Sequence, residues 1–181
     1  MRTFALLVTS CAAVALSSTA LSPAFAQSVG EKSGVNSTLG VAPKTEDFVT
    51  ELAISDMFEI ESSKLAAQKG SANEKKFAAQ MTTDHTKTST ELKSMVSGGK
   101  VKVNVPNALD SAHQSKLDKL KSATGDDFAK TYADDQVSAH KDAVDLFERY
   151  AKGGENPDLK TWASQTLPKL RHHLEMAEGL K

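Results

Sequence analysis

From Thr45 to the C-terminus, apolar residues return every three or four positions in four long runs, each bounded by a glycine stop or a capping residue. Such spacing lays each run along one face of a helix, and four such faces have to be buried against one another. The first run begins at Thr45, with Glu46 and Asp47 favourable in its first turn. It carries Phe48, Leu52, Phe58 and Leu65 and stops at Gly70. The second opens on Ser71-Ala72-Asn73-Glu74, a capping-box pattern, shows Phe77, Met81, His85 and Leu92, and ends at Gly98-Gly99. The third follows Gly125-Asp126 with Phe128, Tyr132, Gln136, His140, Val144 and Phe147, and stops at Gly153-Gly154. The fourth has Asn156 as cap and Pro157 at its first helical position, then Leu159, Ala163, Leu170, His173 and Ala177. Alternating β-branched residues occur only in the short stretch 101–105.

Helices of roughly 22–26 residues are about 33–39 Å long. The short breaks near Gly70 and Gly154 predict two antiparallel hairpins. Between the hairpins, residues 98–125 include a short amphipathic piece marked by Leu109, Leu117 and Leu120. That connection is long enough to travel the whole bundle. The expected fold is therefore all-α: a ferritin-like antiparallel four-helix bundle whose long crossover contains a short helix. A simple up-down bundle, with the short helix folded back, fits the same lengths.

Ahead of the bundle, residues 1–26 have the layout of a secretory signal peptide. Arg2 precedes an apolar stretch from Phe4 to Leu16, and Ala24-Phe25-Ala26 supplies the small residues for cleavage after Ala26. The expected location is periplasmic or secreted. Val8-Thr9-Ser10-Cys11 loosely matches a lipobox, the competing reading, but leaves an apolar core shorter than about 7–15 residues. Residues 27–44 are rich in Ser, Gly and Asn without periodicity and predict a flexible leader, leaving 45–181 as the bundle domain. No later apolar run has membrane-spanning length, so the mature chain is expected to have no transmembrane helix.

Charge and motifs exclude several functions. With 22 Lys+Arg against 23 Asp+Glu, the chain lacks the basic footprint of a nucleic-acid binder. Its one Cys precludes an intramolecular disulfide framework, and cleavage after Ala26 would remove it. The Gly-Gly pairs lack the Lys-Ser/Thr of a phosphate-binding loop, and no G-x-S-x-G elbow is present.

The informative residues are polar ones at core positions. His85, His140 and His173 interrupt the apolar stripes of the second, third and fourth helices, and Glu59 lies on the inward face of the first. Counted from the two tight turns, they lie about 10 (Glu59), 13 (His85), 12 (His140) and 16 (His173) residues away, so the first three fall within about one turn. Pro168 precedes His173 and would adjust the fourth helix there. A lone carboxylate in such a core is costly. Three imidazoles and one carboxylate instead form a suitable ligand set for one divalent transition metal (Zn, Cu or Fe). A metal-free His–Glu hydrogen-bond network uses the same residues. Of the neighbours, His113 is expected to be solvated and His172 to point away from His173. Asp84 and Asp135 read as solvated charges rather than partners of the cluster, and Tyr132 and Trp162 as packing residues.

The stretches 47–66, 77–92, 128–151 and 159–177 together resemble the bacterial secreted family catalogued as domain of unknown function 4142, sometimes labelled "predicted outer membrane protein". Met81-x-x-Asp84-His85, His140, and Leu167-Pro168 followed by His173 carry the likeness. The resemblance implies a helical, ferritin-like envelope domain and no established activity. Nothing in the sequence has the alternating strands of an outer-membrane barrel. Di-iron members of the wider ferritin-like class use Glu-x-x-His on two helices. Here Thr82, Val137 and Leu170 occupy the positions three before His85, His140 and His173, so a mononuclear site is the most the pattern supports. Three functions follow as alternatives: metal handling or envelope stress protection by a bound metal, a metal-free structural or interaction protein of the envelope, or a redox enzyme with a mononuclear metal. The sequence names no partner; an envelope component fits the expected location.

Overall fold

Capping chemistry sets the helix boundaries. The computed structural model describes residues 27–181, so the signal-peptide and Cys11 readings lie outside the described residues. Two short helices, α1 (Val29–Lys32) and α2 (Val35–Leu39), precede the long α3 (Thr45–Lys69) and α4 (Ala72–Ser97). The crossover helix α5 (Ser111–Ser122) leads to α6 (Gly125–Gly153) and α7 (Pro157–Glu178). Ser71 and Glu74 close the expected capping box on α4, with the Glu74 carboxylate accepting from the Ser71 amide at 2.7 Å. Asn156 Oδ1 accepts from the Leu159 amide at 2.9 Å and starts α7. Asp110 does the same for α5, accepting from the His113 amide at 2.8 Å. The helix α7 runs through Pro168 without interruption. Residues 101–105 form no strand; Val101 is instead fully buried in the core.

Contacts at the two ends establish the topology. Lys69, ending α3, donates through Nζ to the carbonyls of Leu120 (3.3 Å) and Ala123 (3.1 Å), placing the end of α5 beside the α3–α4 turn. At the opposite end Tyr150 stacks on Phe48 with ring centroids 4.1 Å apart, and Asn156 Nδ2 donates to the Lys100 carbonyl at 2.7 Å. The crossover therefore travels the length of the bundle, α4 and α6 run parallel, and the fold is the ferritin-like one. The up-down alternative is excluded. It follows that the two tight turns sit at opposite ends, so heights counted from both are not on one scale. His85 and His140 share a level near the middle of their helices, and on α3 that level holds Asp56 rather than Glu59.

The core is split into two apolar layers. Phe48, Leu52, Leu92, Phe147, Tyr150 and Leu159 fill one, and Phe58, Phe77, Met81, Leu120, Phe128 and Tyr132 fill the other. On every long helix the gap between layers holds a buried polar residue: Asp56 on α3, His85 on α4, His140 on α6 and His173 on α7.

The leader departs from the irregular segment expected of it. Besides carrying α1 and α2, it is tied to the bundle: Glu31 pairs with Arg149, Arg149 Nη1 donates to the Val41 carbonyl at 2.9 Å, and the Ser28 amide donates to Asp47 at 2.8 Å.

Candidate metal centre

Helical periodicity turns His85, His140 and His173 inward, and the bundle brings them together. They are 4%, 1% and 2% exposed, and their ring centroids lie 5.5–5.6 Å apart in each pairing. One nitrogen from each ring lies within 4.8 Å of those of the other two.

The opposite nitrogen of each ring is held by an acceptor. His85 Nδ1 donates to Asp56 Oδ1 at 2.8 Å, His140 Nδ1 to the Gln136 carbonyl at 2.9 Å, and His173 Nε2 to Asp84 Oδ2 at 2.8 Å. Carbonyl and carboxylate oxygens accept only, so the bonded nitrogen carries the proton and the other presents a lone pair in the neutral ring. Those other nitrogens, His85 Nε2, His140 Nε2 and His173 Nδ1, are buried and have no hydrogen-bond partner among the described residues. This is the arrangement of metal-ligating histidines, whose outer N–H is oriented by a carboxylate or carbonyl. These three nitrogens would be the ones to hold a divalent metal bound here.

Two of the orienting groups stand apart from the sequence reading. Asp84, read as a solvated charge, is buried and bridges His173 to Lys169, whose Nζ donates to Oδ1 at 2.7 Å, while Gln80 donates to Oδ2 at 2.6 Å. The correction has a geometric cause: Asp84 points about 100° away from His85 on the same helix and reaches α7 instead. Asp56 is the partner that the spacing of apolar residues does not reveal. It precedes Glu59 by three residues, so the same i, i+3 rule that puts Glu59 on the inward face includes it.

Glu59 is buried, yet it lies outside the group of mutually close ligand atoms formed by the histidines. It follows Phe58 on α3 and so sits toward the second apolar layer, while Asp56 occupies the level of the rings. Both Glu59 carboxylate oxygens are buried without a partner, and burial pushes the group up to about 7. Nearby, Gln136 Nε2 donates to Ser62 Oγ at 3.2 Å.

The same low-dielectric layer sets the imidazole protonation. Burial, with the charge of His85 beside it, pushes His140 down to about 3. Burial takes His173 down to about 4 against the opposing bond to Asp84. For His85 burial also disfavours the cation, but the Asp56 carboxylate outweighs it and the net direction is up. Burial opposes ionisation of Asp84 too, yet hydrogen bonds from Lys169, Gln80 and His173 hold it down to about 2. Asp84 is thus a fixed negative charge behind one ring.

The remaining candidates fall away from the centre. His172 is exposed. His113 is half-buried rather than solvated, bonded to Asp110 and edge-on to Phe58 at 5.6 Å. Tyr132 meets Ser63 at 3.2 Å, and Trp162 packs on Phe147 and donates to Glu91 at 2.8 Å. Asp135 is half-buried with one oxygen unpartnered and makes no bond to the cluster.

Comparison with known proteins bears on the fold. The chain matches the family described as "Domain of unknown function (DUF4142)" over residues 30–180, and it belongs to that family. No curated protein matches it by sequence. A solved structure described as "CopM in the Cu(II)-bound form" is similar, with a TM-score of 0.64 at 16% identity, covering 77% of this chain and 96% of that one. At that identity the likeness is one of fold. No described helix is long and apolar enough to cross a membrane.

Proposed function

We propose that this DUF4142 protein binds one divalent transition metal in its bundle core through His85, His140 and His173, and that it handles this metal outside the cytoplasm. The observation that carries the reading is the convergence of three buried, unpartnered ring nitrogens, each backed by an acceptor on its far side. Left without a cation, such atoms are a standing cost to the fold. Three imidazoles suit copper or zinc better than magnesium or calcium. The Cu(II) in the name of the structurally similar protein makes copper the first metal to test. Three protein ligands leave a fourth position for water or exchange. Glu59, whose two carboxylate oxygens are buried without a hydrogen-bond partner among the described residues, is our candidate for that position. The secretory pattern of residues 1–26 supports a periplasmic or secreted setting, where metal handling and protection against metal stress fit a carrier of this kind.

The test is elemental analysis of untagged protein together with calorimetric titration of Cu(II), Zn(II) and Fe(II) into chelator-stripped protein. One metal per chain, lost in His140→Leu, is the expected result. A chain that purifies metal-free and melts at the same temperature with each metal would reject the reading and leave a metal-free core network in an envelope scaffold.

A further inference from the structure

A cavity of about 470 Å³ opens between α3, α5 and α6, and its lining extends inward to Asp56 and His85. Its outer wall includes Glu31, Lys32 and Ser37 of the leader. Six carboxylates line it against three cationic side chains, and one of those, Arg149, is already committed to Glu31 and Asp145. Burial first, and then the Glu31 charge, push Glu51 up to about 8, so near neutral pH the negative charge of the cavity rests on its other carboxylates. At the inner end stands His85, nine-tenths buried or more, with Nε2 unpartnered.

Resting on the metal-binding reading above, we propose that this acidic cavity is the route by which a divalent cation reaches the histidine cluster, and that the α1–α2 segment, latched by Arg149, is its gate. The four long helices enclose the cluster elsewhere between two apolar layers, which oppose passage of an ion. Carboxylates along a low-dielectric wall concentrate cations and raise association rates. The latch is local and separable. Arg149 Nε donates to Asp145 at 2.8 Å and Nη2 to Glu31, so losing Glu31 loosens the α1–α2 segment, leaving the Val41 and Ser28 ties, without touching a ring or its backing acceptor.

Stopped-flow absorbance of Cu(II) uptake, and of release to excess chelator, tests the route in the mature chain from Gln27. Read near 1 M salt, where the lost Glu31 charge no longer bears on cation approach, Glu31→Ala is expected to raise the on- and off-rates together by about tenfold, leaving Kd within about twofold, because a gate alters access equally in both directions. Asp142→Asn, on the exposed wall of the cavity, is expected to lower the on-rate about two- to threefold at low ionic strength, with the difference vanishing near 1 M salt. Wild-type binding with both variants at unchanged rates would overturn the route while leaving the metal site standing. A Glu31→Ala variant that changes Kd through the off-rate alone would also overturn it. Absence of Cu(II) uptake by the wild type would remove the site itself.

Discussion

Replacing His140 with Leu should stabilise the metal-free protein and destroy its response to metal. His140 is 1% exposed, and its Nε2 has no partner. A buried polar atom in that condition costs about 1–3 kcal/mol. Leucine removes it and fills the space with apolar atoms. The bond lost at Nδ1 goes to the Gln136 carbonyl, which α6 already uses for its own backbone, so little is forfeited there. A net gain of about 1–2 kcal/mol raises the melting temperature by roughly 2–8 °C for a chain this size. With Cu(II) at about a thousand times Kd, the wild type gains about 4 kcal/mol and the order reverses. Differential scanning calorimetry in chelator and then in Cu(II) reads both effects. If His140→Leu melts lower than wild type in chelator and Cu(II) shifts both proteins equally, the orphaned-nitrogen argument fails.

Asp84→Asn, which removes the fixed charge behind His173, should weaken metal affinity by about 10–100-fold in calorimetric titration while the stoichiometry stays at one. On acidification the metal-free fold should weaken. His140 and His173 resist protons down to about 3 and 4, while unfolded imidazoles accept them near 6.5, so stability present above that pH is lost as pH falls through the interval. His85, displaced upward, works in the opposite sense, its contribution being present below 6.5 and lost as pH rises through its folded value. Urea midpoints between pH 7 and 4.5 should therefore decline less steeply in His140→Leu. Phe48→Ala, which empties a fully buried site stacked on Tyr150, should cost about 3–5 kcal/mol in chemical denaturation without altering metal stoichiometry.

Backbone chemistry within a few residues is written in the chain itself. Ser71 with Glu74, Asn156 with Pro157 and the glycine stops settle where α4 and α7 begin and end, because a cap is satisfied by its own neighbours. The period of 3.6 residues settles which side of each helix is buried, and for that reason the inward setting of three histidines is legible in the sequence alone. It does not settle how far one helix slides or turns against the next. That offset puts Asp56 rather than Glu59 level with the rings, since a shift of three residues moves a side chain about 4.5 Å along the axis. Asp84 finds its role only across 89 residues of chain, in the bond to His173. The Glu31–Arg149 latch spans 118 and joins a segment without periodicity to the bundle. Which polar groups meet depends on the packing of apolar layers far from them in sequence, and only the assembled bundle fixes that packing.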